Sequence, residues 1–434
     1  MNVLTAGISQ ARDHASDGFL LANDDAAARR SRLHHPRRPV RRTMNTSASL
    51  PRASLLALLA ACAPLEAELT PAADVPDDAP RAAQPREDAA RGEAVAAPVP
   101  DEDVLEDAFE PVHADADAEY LDDPSLEPPA APPPHAAPVS CGAVLTRSTR
   151  LREDLGPCPG DGLVIGTDDI TLDCAGHRII GTDDDNGVVL DGRASVNVRN
   201  CRIEGFATGI SMHGTIGNTV TGNTLVSAEY GSGIEARDGV GDVVGRNRFV
   251  GQAARLDSNV LTFAENKARG ETPYGTSVFC YGNAAGLRVR DNDLEGFVVL
   301  ASTNGARVDH NRMRGGGLGF ELEGARGTRI DHNVVRDGDV GIVALSAMSS
   351  LFEDNDVRGM DRSGVVVLGG SARNLFRDNR ADDNGEVGFY VLQGATLNAF
   401  DDNEACGNED VDLLVDGVTG NRFVDNDFCT ERFE

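Results

Sequence analysis

The chain has no tryptophan, one lysine (Lys267) against 39 arginines, five tyrosines, and only three prolines after position 139. Without Trp, stacking on a flat ligand has to come from a few Tyr and Phe rings. The near absence of Pro leaves the backbone N–H groups of the last two thirds free for uninterrupted strands. Long apolar runs are missing too. The stretch 53–61 is far short of the roughly 20 residues that cross a bilayer as a helix, and no ten-residue stretch after 139 has helical periodicity. Positive charge is scarce where a fold could form: acidic and basic residues number 46 and 28 from Val139 on, 20 and 3 in 63–138, and 4 and 9 in 1–62, for a net charge of −30. That balance excludes nucleic acid as a partner, because phosphate binding needs a basic footprint.

What is present is a repeat: an apolar residue, two polar ones, Asn, any residue, an apolar residue. It reads Phe352-Glu-Asp-Asn355-Asp-Val357, Phe376-Arg-Asp-Asn379-Arg-Ala381, Phe400-Asp-Asp-Asn403-Glu-Ala405 and Phe423-Val-Asp-Asn426-Asp-Phe428. Further back the Asn recurs at 333, 311, 292, 266, 247 and 223, in steps of 19 to 26, and Cys201 fills the next slot. A period near 22 indicates a solenoid, and neither a propeller blade nor a leucine-rich repeat fits its length and content. Runs such as Gly341-Ile-Val-Ala, Gly364-Val-Val-Val and Gly388-Phe-Tyr-Val alternate like strands. The prediction is one all-β solenoid of parallel strands over 139–434, with roughly a dozen coils stacked about 4.8 Å apart, the Asn amides in one internal column and the four Phe stacked inside.

From Cys141 onward, Leu155-Gly-Pro-Cys158, Ile170-Thr-Leu-Asp-Cys-Ala-Gly-His177-Arg-Ile179 and the Asn repeats resemble the right-handed parallel β-helix repeat proteins, a pectin-lyase-like group that includes NosD-type members. The resemblance covers about residues 141–429. It implies the fold, but the architecture hosts lyases, epimerases, hydrolases, adhesins and scaffolds. Copper binding is not carried over from the NosD-type members, since there is no Cys-x-x-Cys, no close His pair accompanies the cysteines, and the six Met are scattered.

Ahead of the repeats, 1–43 is polar and Arg-rich, either a basic disordered segment or a mis-assigned start, with a second Met at 44. Residues 44–62 read as a signal peptide ending in the lipobox-like Leu59-Ala60-Ala61-Cys62, which makes Cys62 the expected site of lipidation and membrane anchoring. Residues 63–138 hold 15 of the 21 prolines and an acidic run. Such a stretch buries too little apolar surface to order itself and is expected to be a disordered tether. The chain is therefore expected to be exported, either periplasmic or at the cell surface.

Register supplies the remaining expectations. Cys406 and Cys429, each three residues after a repeat Asn, should stack as a disulfide, and Cys141 with Cys158 should close a cap formed by 144–154. Cys174 with Cys201 is a weaker candidate pair, and Cys280 is left as an inward thiol. Taking the Gly-Ile-x-Leu strand as in-out-in-out, the outward pairs are Ser211/His213, Glu235/Arg237, Arg255/Asp257, Phe279/Tyr281, Val298/Leu300 and Glu321/Glu323, with the phase at 279–281 open by one residue. His213, Arg237, Asp257 and Tyr281 would form one column, with Glu235 and Arg255 beside it. Such a set could neutralise a uronate with Arg and move a proton with His or Tyr, as β-helix lyases and epimerases do; the alternative is a solvated, charge-paired sheet face. No cofactor is implied. The stacked His310 and His332, continued by Asp354, Asp378, Asp402 and Asp425, leave calcium as the one cation to consider. Farther along, the outward positions become Val343, Leu345, Val366, Leu368, Tyr390 and Leu392, an expected apolar patch for self-association. These readings converge on an exported lipoprotein that binds, and as a lyase or epimerase processes, a polysaccharide. The rival is a non-catalytic scaffold or adhesin.

Overall fold

The computed structural model describes residues 139–434 apart from 229–230, 271–275 and 283. The signal, the Cys62 site and the tether lie outside the described residues, as does the Glu271-Thr-Pro273-Tyr274 stretch, where the longest gap between repeat Asn, 266 to 292, predicts a protruding loop. Within them there is no helix, and short strands pair in parallel with their counterparts one coil away. A typical coil lends one strand to each of three faces, as Thr208–His213 does to the first, Thr219–Thr221 to the second and Thr224–Val226 to the third, and the 13 strands of the second face count the turns. The fold is a right-handed parallel β-solenoid, as the repeat and the resemblance together imply.

Residues 144–154, expected to cap the solenoid, belong to its first coil: Ala143–Leu145 pairs in parallel with Leu163–Ile165, and Thr149–Arg150 with Leu172–Asp173. This pairing satisfies backbone groups of the segment. Cys141 and Cys158 are bonded here, with Cα atoms 5.4 Å apart. Cys174–Cys201 and Cys406–Cys429 are also bonded, with Cα atoms 4.7 and 5.2 Å apart. Cys280 is a free, fully buried thiol.

The Asn column runs unbroken from Asn223 to Asn426. Each amide oxygen accepts the backbone N–H and side-chain Nδ2–H of the Asn one coil earlier, and each Nδ2 also donates to a backbone carbonyl. Cys201 sits in the same column, its N–H donating to Asn223 Oδ1 at 2.9 Å. The residue before each Asn is left-handed: Arg246, Glu265, Asp291, His310, His332, Asp354, Asp378, Asp402 and Asp425 have φ between 47° and 56°. Short polar side chains tolerate this conformation best, which accounts for the Asp run at the turn. Phe352, Phe376, Phe400 and Phe423 stack inside with ring centroids 4.4, 4.8 and 4.8 Å apart.

Two further columns set the cross-section. Asn374, Asn398 and Asn421 form a second amide ladder, topped by the Ser350 N–H donating to Asn374. A glycine column lines the tightest corner: a Cβ at Gly187, Gly209, Gly319, Gly341 or Gly364 would come within 2.4 to 2.8 Å of a carbonyl oxygen of the next coil. Only glycine allows the backbones to approach that closely.

Candidate functional site

The first face carries the predicted strip. Ser211 is in register with Glu235, and His213 with Arg237. Glu235 is in register with Arg255, and Arg237 with Asp257. The alternation that makes these side chains point outward also buries Met212, Ala236 and Leu256 between them in the core. Arg255 pairs with Phe279, which puts Tyr281 on the outer side at the end of its strand, 39% exposed. The structure therefore brings five of the six candidates together as two adjacent columns, with Tyr281 one coil beyond. The phase at 279–281 is as written in the sequence.

One coil later the expectation fails. Val298 and Leu300 are fully buried, and Phe297, Val299 and Ala301 take the outward positions. The Asn292-to-Asn311 coil has only 19 residues, and its strand Asp293–Ala301 runs on from the third face into the first. Phe297 thereby occupies the slot that glycine holds elsewhere, so the outward positions fall one residue later than expected. The pairing itself is continuous, from Phe279 through Val299 to Glu321 and from Tyr281 through Ala301 to Glu323.

Sequence reasoning missed two partners of His213. Its Nε2 lies 3.2 Å from Asp238, and its Nδ1 lies 3.5 Å from Asp191. Asp191 was legible as the preceding member of the column. Asp238 was not, because it sits at a register shift between Arg237 and Val240. Arg237 donates to Glu235. Partial burial, with repulsion from Asp238, raises the proton affinity of Asp257, and Arg237 opposes this. Phe279 and Tyr281 lie parallel at 5.7 Å, with Phe297 edge-on to Phe279 at 5.5 Å. The strip thus combines an imidazole between carboxylates, two guanidinium groups and an aromatic cluster. This is chemistry suited to hydroxyl-rich or acidic sugars. Two concavities open elsewhere, one bounded by Arg202, Thr224 and Arg248 and the other by Arg150, Asp173 and Asn200.

The turn column behaves otherwise. His310 and His332 stack at 5.0 Å, and each Nδ1 meets the preceding carboxylate, Asp309 or Asp331, at 3.1 Å. Desolvation, with repulsion from Asp354 and Asp402, raises the proton affinity of Asp378. Among the described residues no three His, Cys, Asp or Glu side chains are gathered closely enough to hold a metal ion. The calcium expectation therefore gains no site.

The apolar columns point outward as predicted, Val343 to Val366 to Tyr390 and Leu345 to Leu368. They are not an open patch, however. Val343 and Val366 are 3% and 2% exposed, and Leu345, Leu368, Tyr390 and Leu392 are half-buried. β-Branched side chains stacked in register cover one another, and Tyr390 packs over Val387, Val411 and Leu414.

A family model described as "Right handed beta helix region" matches residues 166–298 and 276–428. The chain belongs to the right-handed β-helix family. Among solved structures this β-helix is similar to the Dettilon tailspike protein (gp208), with 14% identity over 65% of this chain and 60% of that one, at a TM-score of 0.43. It is also similar to the DFA-IIIase of Arthrobacter chlorophenolicus A6 in complex with GF2, with 15% identity over 50% of this chain and 56% of that one, at 0.38. A third is the mannuronan C-5 epimerase AlgE4 A-module of Azotobacter vinelandii, with 11% identity over 63% of this chain and 84% of that one, at 0.40. The β-helix spans less than two thirds of the first two of these chains. At such identities the likeness is one of fold. No curated protein matches the chain. The three disulfides belong to an oxidising compartment, extracellular or periplasmic.

Proposed function

We propose that this β-helix is an exported, Cys62-anchored lipoprotein that binds an extended polysaccharide along its first face and acts on it there. His213, Glu235, Arg237, Arg255, Asp257 and Tyr281 make the polar and stacking contacts. The observation that carries the reading is the register. Charged and aromatic side chains repeat on one exposed strip at roughly 4.8 Å per coil, a spacing comparable to one sugar ring, so that a polymer lying along the axis meets equivalent positions in turn. Arg237 and Arg255 suit a uronate, and Asp257, with its raised proton affinity, is placed to exchange a proton beside them. The test is affinity electrophoresis of the purified chain in gels cast with uronate-containing or neutral polysaccharide. Retardation in at least one gel supports the reading, and unaltered mobility in all of them rejects it. Anchoring is tested separately, since a Cys62→Ser chain should lose its acyl mass and its membrane fraction. The rival scaffold reading draws on the half-buried apolar columns from Leu345 to Leu392, and light scattering of a Leu368→Asp variant tests it.

A further inference from the structure

We propose that Glu321 and Glu323 are a catalytic carboxylic acid pair that hydrolyses a glycosidic bond of the polysaccharide held on this face. The proposal rests on the binding reading above and supplies its chemistry: hydrolysis with inversion, with Glu321 as general acid and Glu323 as general base.

Both residues lie on the strand Leu318–Glu323 and point outward, one coil beyond Val299 and Ala301 and two beyond Phe279 and Tyr281. Their surroundings differ sharply. Glu321 is 3% exposed and stands in a column between Val299 and Val343. Its carboxyl has no hydrogen-bond or ion-pair partner among the described residues. A column that is apolar on both sides has no packing need for a carboxylic acid, and a buried, unpartnered one costs stability. Burial, reinforced by repulsion from Glu323, holds Glu321 toward its protonated form. Glu323 is half-exposed between Ala301 and Leu345. A buried carboxyl held toward its protonated form beside a more exposed one supplies an acid and a base to the same substrate.

Residues two apart on a strand have Cα atoms about 6.6 Å apart and side chains standing side by side. Inversion needs carboxyl groups roughly 6.5–9.5 Å apart, with room for a water between base and sugar, and that arrangement is assigned to this pair. In the reaction Glu321 gives its proton to the glycosidic oxygen as the bond from that oxygen to the anomeric carbon breaks. A water oxygen bonds to the opposite face of the anomeric carbon while Glu323 takes a proton from it. Glu321 ends as carboxylate and Glu323 as acid, and exchange with solvent restores both. The Phe279 ring, with Tyr281 at 5.7 Å and Phe297 at 5.5 Å from it, offers the adjoining sugars an apolar platform.

The test incubates the full chain separately with polygalacturonate, alginate, xylan and dextran. It measures new reducing ends, ultraviolet-absorbing unsaturated ends, the anomeric configuration of the first product by proton NMR, and gel retardation. The expected result is reducing ends without unsaturation and an inverted anomer. Glu321→Gln and Glu323→Gln should each lose about 100-fold or more in rate while keeping retardation. Glu321→Leu should abolish cleavage and raise the melting temperature, an outcome that a merely misfolded variant cannot give. Binding without cleavage, unsaturated ends, a retained anomer or Gln variants of near wild-type rate would each overturn the pair and leave the binding reading standing. Absence of retardation by the wild-type chain in every gel would overturn both.

Discussion

Replacing Asn355 by Ala removes one rung from the middle of the internal ladder, and the cost can be worked out bond by bond. Asn355 is 1% exposed. Its Oδ1 accepts the Asn333 N–H at 3.2 Å and the Asn333 Nδ2–H at 3.0 Å, while its Nδ2 donates to the Ile330 carbonyl and to Asn379 Oδ1, both at 2.8 Å. In the variant Asn333 Nδ2 still has Val308 and Asp331 carbonyls, and Asn379 Oδ1 keeps the backbone N–H of residue 355. Two groups lose the side-chain partner named here, the Asn333 N–H and the Ile330 carbonyl oxygen. At about 1–3 kcal/mol per orphaned buried group, the loss should be about 2–6 kcal/mol. Asn426 makes the equivalent bonds to Asn403 and to the Phe400 carbonyl, but it is only half-buried and has no Asn beyond it, so water can replace its bonds and Asn426→Ala should cost clearly less. Urea unfolding followed by circular dichroism reads both. Because coils interact only with their neighbours, the Asn355→Ala chain should also split into two transitions, with the coils on either side melting separately. An Asn355→Ala midpoint within error of wild type, or one matching Asn426→Ala, would refute the idea that the ladder holds the coils in register.

Other outcomes follow from the same structure. Cys406→Ser with Cys429→Ser opens a 23-residue loop at the C-terminal coils; a loss of about 3 kcal/mol is expected in the chain-entropy model, seen as faster hydrogen exchange around Asn403 and Asn426. Asp378 has its proton affinity raised by burial and by Asp354 and Asp402, so its contribution is fully present below the ordinary aspartate range and is lost as pH rises through the folded value. Asp378→Asn, which keeps a residue suited to the left-handed turn, should therefore gain roughly a few tenths of a kcal/mol at pH 7 and nothing at low pH, less so in high salt. Burial pushes the Cys280 thiol far above its usual range, so its peptide should stay unalkylated in the native chain and become modified in urea.

Legibility followed periodicity. The Asn and Phe columns, the outward phase from Ser211 to Tyr281 and two of the disulfides could be read because identical residue types recur at one coil's distance. The second amide ladder carried the same signal, Asn374, Asn398 and Asn421 being 24 and 23 apart, but its other rungs vary among Ser, Thr and Asp and blur it. Register failed at Val298 and Leu300, where a 19-residue coil merges two strands and hides the corner that sets the count. The openness of the apolar columns was misjudged for another reason: alternation tells which way a side chain points but not how far its stacked neighbours cover it. Glu321 was visible in the sequence as an outward residue, but its apolar neighbour Val299 was not, since the shifted phase had placed Val298 there.

The most direct test of the account is affinity electrophoresis of three chains in the polysaccharide gel that retards the wild type most strongly. Arg255→Ala combined with Tyr281→Ala removes one guanidinium and one ring from the strip, whereas Arg312→Ala removes an exposed guanidinium from the third face. Retardation abolished in the double variant and unchanged in Arg312→Ala is the predicted result. Equal retardation of all three chains, or a loss in Arg312→Ala alone, would contradict the claim that the first face is where the polysaccharide binds.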